Sequence, residues 1–405
     1  MTSIAIADDL KSNRGRNYLH NAGSWGSAEN GAISGEHDAR IFLFIDSKRE
    51  STPGAKPRNR DQERVHPIQT GLIMKILKLA TILAIAAFST FQSAQAAGLR
   101  FIEVPSSGGG PVLTATLWYP CVGKPARVAI GFNYSTAVQD CPLTGEKLPL
   151  IVISHGVGGW SGNYHSLAEV LADAGFVVAA VNHPRDSGQS KTRDPNDIAS
   201  MTQRPVDMTR LVDFMLDLWS NASQLDPARI GVFGFSRGGF TGLAMIGGNP
   251  NWKLLLDNCP TYPGNRFCEQ IRSSAVAPLV GDQRIKAAVL IDPAGGSLFT
   301  AEGLRNVTVP VQLWASEYGG DGLSPKDAAT IAHNLPAKPD YRIVPNSGHF
   351  SFLPPCSQEF AKLVVNSGEP ELCTDKAGFD RLAFHKQLNA DIVDFFGKNL
   401  IEAEQ

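Results

Sequence analysis

The chain has 405 residues, with 37 Lys and Arg against 39 Asp and Glu. From Ala97 onward the balance is 25 against 30, a net charge of −5, and no run of basic residues appears there. A phosphate backbone is held by clustered cations, so no nucleic-acid partner is expected.

Taken in chain order, residues 1–73 are rich in Gly, Ser, Asn, Arg and Asp and show no sustained apolar period. The composition changes at Met74. Lys75 and Lys78 form a short basic start, an apolar run follows over 79–88, and Ala94-Gln95-Ala96 is a small-x-small site. That order describes a secretory signal peptide over 74–96, cut after Ala96. The apolar run is shorter than the roughly 20 residues that a bilayer span needs, so no stable span is expected in the mature chain. A signal peptide works from an N-terminus, so residues 1–73 read as a misassigned start or a disordered extension. N-terminal sequencing of exported protein tests this, and a mature chain beginning before Met74 would sink it. Residues 97–405 then form the mature protein, 309 residues long, enough for one large α/β domain, secreted or periplasmic.

Residues 99–104 and 112–119 alternate apolar and polar side chains, as half-buried strands do. Residues 148–154 (LPLIVIS) are continuously apolar, as a parallel strand buried on both faces is. Helical spacing over 164–174 stops at Gly175, and 176–181 reads as another buried strand. Met208, Leu211, Val212, Met215, Leu216 and Trp219 recur at helical intervals. Strand 230–235, helix 237–246 and strand 285–291 (IKAAVLI) follow, then strands 309–314 and 341–344 and a terminal helix over 379–400. Such alternation predicts an α/β fold, a mostly parallel central sheet with helices on both faces.

Residues 248–280 break the rhythm: they are long, rich in Asn and Pro, and hold two cysteines. Loops of this length in compact domains are mostly functional or disordered. A staple here favours an ordered insertion, either a small lid over the site or a surface decoration. All six cysteines fall after the expected cleavage point, and an even number in an exported chain suggests disulfides. Proximity in sequence pairs them as Cys121–Cys141, Cys259–Cys268 and Cys356–Cys373. No CxxC or HxxxH spacing supports zinc instead.

Gly234-Phe235-Ser236-Arg237-Gly238 is a GxSxG motif that directly follows an apolar strand and opens a helix. A sharp strand–turn–helix exposes a serine hydroxyl, and glycines on either side let strand and helix approach, which makes Ser236 a candidate nucleophile. A serine hydroxyl is barely ionised at neutral pH and needs a base. Of the three histidines downstream, His349 sits in a loop just past the last strand, while His333 and His385 lie in helical patterns as surface or packing residues. For the acid that orients the base, Asp292 ends strand 285–291 and is followed by Pro293, which turns the chain. Asp321 and then Glu317, after the next strand, are the alternatives. Two backbone N–H groups should face the developing oxyanion. One is that of Arg237, and the other that of Val157, in the glycine-rich loop after strand 148–154. His155, preceding that loop, reads as a packing residue. Trp160, Phe350 and Phe352 are candidates for an apolar substrate pocket or for core and rim.

With these motifs in place, the sequence resembles the dienelactone-hydrolase-like group of the α/β-hydrolase superfamily, together with plasma-type platelet-activating-factor acetylhydrolases and chlorophyllases. The resemblance covers roughly residues 99–398 and rests on TATLWYP, SHGVGG, FVVAAVNHP, GFSRGG, IDPAGG and SGHFSF. It implies the α/β-hydrolase fold and hydrolysis of a carboxylic ester without a cofactor or metal. It also favours Asp292, since the acid of acetylhydrolases and chlorophyllases follows the strand after the elbow unit. True dienelactone hydrolases carry Cys where this chain has Ser236, which argues against that substrate. The segment from Ser236 to Asp292 is also longer than in these relatives. The expected activity is therefore a secreted serine esterase acting through an acyl-enzyme on a small-molecule, lipid-like or polymeric ester. A serine peptidase or amidase of the same fold, or a non-catalytic binding protein that keeps the fold, are the alternatives.

Overall fold

A computed structural model describes residues 95–402, apart from 132, 258, 260–264 and 275. Residues 1–73 and the expected signal peptide up to Ala94 lie outside the described residues. Gln95 and Ala96 open strand β1 (Gln95–Val104), where they pair with Val122 and Cys121 of β2 (Leu113–Val122). The expected cleavage point thus falls two residues into a paired strand.

Among the described residues the strands are completed by β3 (Ala126–Ile130), β4 (Asn133–Gln139), β5 (Leu148–Ser154), β6 (Val177–Val181), β7 (Leu225–Phe235), β8 (Ile285–Ile291), β9 (Val311–Ser316) and β10 (Asp340–Val344). They form one sheet in the order β10-β9-β8-β7-β5-β6-β2-β1-β4-β3. From β10 to β6 all neighbours are parallel, and β2 joins β6 antiparallel. The parallel part contains the continuously apolar strands read from sequence, because such runs are what burial on both faces demands, while the alternating strands 99–104 and 112–119 fall in the antiparallel part as β1 and β2. The β3–β4 hairpin was not foreseen. Its pattern of mostly exposed positions on an edge gives little apolar signal.

The helices of eight or more residues are α1 (His165–Asp173), α2 (Ala199–Asp213), α3 (Arg237–Met245), α4 (Arg266–Ser273), α5 (Pro325–Asn334), α6 (Gln358–Asn366) and α7 (Arg381–Leu400). They cover the sheet in two layers, and residue parity along each strand decides which. Leu150, Val152, Val232 and Leu290 pack with Met208, Leu211, Leu243 and Ile331 of α2, α3 and α5. Ile151, Ile153, Phe233 and Val289 pack with Leu167, Leu171, Ile392 and Phe396 of α1 and α7. Each such buried side chain contributes about 1.5–3 kcal/mol relative to exposure. α2 begins nine residues before the apolar period read from sequence, passes through Pro205 and leaves as a π-turn over Phe214–Leu218.

The three expected cysteine pairs are formed: Cys121–Cys141, Cys259–Cys268 and Cys356–Cys373. In the 248–280 segment Trp252, Leu255 and Phe267 are buried against the α2–α3 layer. Arg266 pairs with Asp194 and Asp197, and Gln270 accepts from the Ile198 N–H, tying the segment to the stretch that precedes α2. The segment thus packs some of its described residues against that face. No helix among the described residues is long and apolar enough to cross a membrane.

Candidate active site

Ser236 stands between β7 and α3 with φ 56° and ψ −119°, a region that costs a non-glycine residue about 1–3 kcal/mol. The neighbouring glycines hold it there. A Cβ on Gly234 would lie 1.9 Å from the Gly238 carbonyl oxygen, and one on Gly238 would lie 1.9 Å from that of Ser154. Only a strand, turn and helix free of side chains at both points can approach so closely. The Ser236 N–H donates to the Ile291 carbonyl at 2.9 Å, which locks the turn to the end of β8.

The strand register carries the next residue into place. Phe235 is opposite Ile291, and Ile291 is opposite Trp314, so the carboxyl ends of β7, β8 and β9 lie side by side. Asp292 follows Ile291 and donates its N–H to Trp314 O at 2.8 Å. Its carboxylate accepts from His349 Nδ1 (2.8 Å), from the Ser316 N–H (3.0 Å) and from the Ser316 hydroxyl (2.7 Å). Burial alone would raise the Asp292 pKa, but the His349 hydrogen bond and charge, with the two Ser316 donors, hold it below the usual carboxylate range. The His349 imidazole stacks on Phe235 with ring centroids 4.5 Å apart, and the His349 backbone N–H donates to Gly319 O. Ser236, Asp292 and His349 are thus gathered at one edge of the sheet, with His349 lying on the residue before Ser236. The other carboxylates are placed differently. Glu317 Oε2 accepts from the Asn346 N–H at 2.6 Å, and Asp321 is exposed in the turn between Gly320 and Leu323. His333 is exposed on α5, and His385 is buried on α7 with Nε2 donating to Ser351 O.

The loop after β5 lies against Ser236: a Cβ on Gly156 would meet the Ser236 Cβ at 3.4 Å. The Gly156 carbonyl accepts from His155 Nδ1 (2.6 Å) and from the Gly159 N–H (3.1 Å). A trans peptide sets C=O and N–H on opposite sides, so these two bonds also aim the Val157 N–H. The Gly158 N–H is taken by Asp186 O, whereas that of Val157 has no acceptor among the described residues. The Arg237 N–H is the first of α3, at the end of a helix where positive partial charge collects. His155 is packed, as its context suggested. Burial and the Arg204 charge push its pKa down to about 3, so it is neutral, with Nε2 accepting from the His183 N–H.

Behind this loop lies a buried polar network that sequence reading missed. His183 Nε2 is 2.9 Å from Ser154 Oγ and its Nδ1 is 3.0 Å from Asp207. Arg204, 1% exposed, hydrogen-bonds Asp186, Ser154, the His155 carbonyl and Thr241. A signal existed: Met201, Arg204, Met208, Leu211 and Met215 share one helical face, and Arg204 is the charge on an otherwise apolar stripe.

Of the candidate pocket residues, Trp160 borders a recess of about 470 Å³ with Phe101, Thr116, Ser161, Asn182 and Gln189, beyond β6 from Ser236. Phe350 is half-buried beside His349, with ring centroids 5.4 Å apart. Phe352 is fully buried, packs edge-on against Phe384 and belongs to the core, because the turn at residue 349 points it inward.

The fold has a counterpart among solved structures. A solved ferulic acid esterase from Streptomyces cinnamoneus superposes with a TM-score of 0.51 at 21% identity, covering 77% of this chain and 91% of that one. The chain has the fold of an α/β-hydrolase. The family model for platelet-activating factor acetylhydrolase, isoform II, matches residues 126–208, the part of the chain that holds β5 and the glycine-rich loop. A putative esterase, NocK, of Nocardia uniformis subsp. tsuyamanensis is 31% identical over 118 residues, 29% of this chain and 33% of its own. The platelet-activating factor acetylhydrolases of Cavia porcellus and Bos taurus are 42% and 43% identical over 72 residues, 18% of this chain and 16% of theirs. These matches span a third or less of the curated relatives' length.

Proposed function

We propose that the protein is a secreted serine hydrolase that cleaves carboxylic esters through an acyl-enzyme. The observation that carries the reading is the 2.8 Å hydrogen bond from His349 Nδ1 to buried Asp292, set beside Ser236 in its left-handed turn. Asp292 holds the imidazole so that Nε2 is left to take a proton. Ser236 Oγ attacks the ester carbonyl carbon and passes its proton to His349. The carbonyl oxygen becomes an oxyanion that accepts from the Val157 and Arg237 N–H groups. The C–O bond to the alcohol then breaks, the alcohol leaves with the proton from His349, and an acyl group remains on Ser236. Water, deprotonated by His349, attacks that acyl group and releases the acid and free Ser236. The relatives named as esterases and acetylhydrolases support an ester as substrate. The half-buried Phe350, beside His349, provides apolar surface for an acyl or alcohol group. The three disulfides support an oxidising compartment and export by the segment 74–96.

Purified protein incubated with a series of p-nitrophenyl esters and a fluorophosphonate probe tests the reading. Turnover is expected, with labelling at Ser236 and loss of both in Ser236→Ala. Absence of turnover and labelling together would leave a binding protein of the same fold, and turnover of amides in preference to esters would point to an amidase.

A further inference from the structure

The two N–H groups assigned to the oxyanion come from elements far apart in sequence, Val157 from the loop after β5 and Arg237 from the start of α3. Their separation must therefore be held by something that touches both. Arg204, reaching in from α2, touches both. On the loop side, Arg204 Nη2 donates to the His155 carbonyl and to Ser154 Oγ, the latter at 3.2 Å. Nη1 pairs with Asp186, whose own carbonyl accepts from the Gly158 N–H at 3.1 Å. On the helix side, Arg204 Nε donates to Thr241 Oγ1 at 3.0 Å, and that hydroxyl donates to the Arg237 carbonyl at 2.8 Å. Asp186 adds a second link, 3.6 Å from the Arg237 guanidinium. One planar fork with fixed donor directions thus spans residues 154–158 and the first turn of α3. Arg204, Asp186 and Thr241 are all buried, so these bonds operate without competing water. Nothing in ester hydrolysis itself calls for a buried guanidinium at this place, one layer behind the reacting atoms.

We infer that Arg204 is a positioning residue that sets the separation and direction of the Val157 and Arg237 N–H donors, so that they fit the tetrahedral oxyanion better than the ground-state carbonyl. The inference rests on the ester-hydrolase reading above. Its mark is an effect on the transition state alone, because substrate binding gains little from donors aimed at an atom position reached only during reaction.

The test compares wild type with Arg204→Lys, Arg204→Met and Thr241→Val. The readouts are steady-state hydrolysis of p-nitrophenyl acetate and inhibition by an aryl trifluoromethyl ketone, whose adduct on a serine carries an oxyanion. A misplacement of about 1 Å costs on the order of 100-fold in rate, so Arg204→Met should lose about 10- to 100-fold in kcat. KM should stay within about twofold, and the ketone Ki should rise by the same factor as kcat falls. Lysine keeps the charge without the fork and should restore only part of the loss. Thr241→Val, near-isosteric and cutting only the helix-side link, should show a smaller loss in kcat and in ketone affinity together. If Arg204→Met does not fold, Arg204→Lys and Thr241→Val carry the test. Folded variants with kcat and ketone affinity within twofold of wild type would overturn the inference, as would a loss confined to KM. A wild type that neither hydrolyses the ester nor binds the ketone would instead overturn the ester-hydrolase reading itself.

Discussion

Asp292 shows how a single carboxylate is selected from several candidates by its surroundings. It is buried, its φ of 42° is left-handed, and it meets three donors, whereas Asp321 is exposed on a turn. Asp292→Asn should therefore lower kcat/KM on the order of 10⁴-fold, since the amide can no longer hold the imidazole in the required tautomer. Asp321→Asn should stay within about twofold of wild type, and the reverse result in a steady-state assay would move the acid to the end of β9. His385 makes a different point. Burial and the neighbouring Arg381 lower its pKa to about 4, against ~6.5 when unfolded, so between these values unfolding takes up a proton. Stability due to this group is present above about pH 6.5 and is lost as pH falls toward 4. Denaturant melts at pH 6 and pH 5 should show wild type losing about 1 kcal/mol more than His385→Gln, which keeps a donor for Ser351 O but cannot charge. Equal losses would refute this. Arg204 was not singled out from sequence, because a charge within a helical period is usually a solvated position. Only burial shows what it bonds.

The strands that sequence reading captured most sharply share a physical property: both faces are buried. The strands 148–154 and 285–291 occur with those very limits as β5 and β8, since every position but Lys286 is buried. Those it missed depend on partners. β3 and β4 are half-exposed and gain their apolar contacts only from neighbouring elements. The joint between β7 and α3 is where local sterics are strictest. Gly238→Ala should cost about 3 kcal/mol or more and abolish activity, because the added methyl enters the Ser154 carbonyl. Gly397, in α7, has open space where its Cβ would stand. Gly397→Ala should stabilise by about 0.5–1 kcal/mol through the unfolded chain's lost freedom, read as a raised Tm at unchanged activity. A Gly238→Ala variant with wild-type stability would contradict the packing of strand on helix described above.

At the scale of the whole molecule, the disulfides tie loop ends to the packed elements, with Cys121 in β2 and Cys268 in α4. Cys356–Cys373 closes a 17-residue separation directly after the turn that carries His349. Ser351 and Arg381 hydrogen-bond Asp375 within the same corner. Removing this pair as Cys356→Ala/Cys373→Ala should lower the unfolding free energy by about 3 kcal/mol in denaturant titration, the loop-closure contribution for such a span. An unchanged midpoint would show that the corner is held by its polar contacts alone. The pairing was legible in sequence because each partner is near in the chain, and the even number left none over.

What the sequence determined by itself was what short-range physics encodes. Apolar period separates buried strand from amphipathic helix, and two glycines around Ser236 permit one sharp turn and little else. Which carboxylate meets His349 was decided only in three dimensions. Asp292 and His349 lie 57 positions apart, and the register of β7 on β8 and β8 on β9, not any local preference, brings strand end and loop within hydrogen-bond reach. The same holds for Arg204, whose partners come from β5, the 183–198 stretch and α3. Contacts of that kind depend on how the layers pack, and packing is a property of the whole chain.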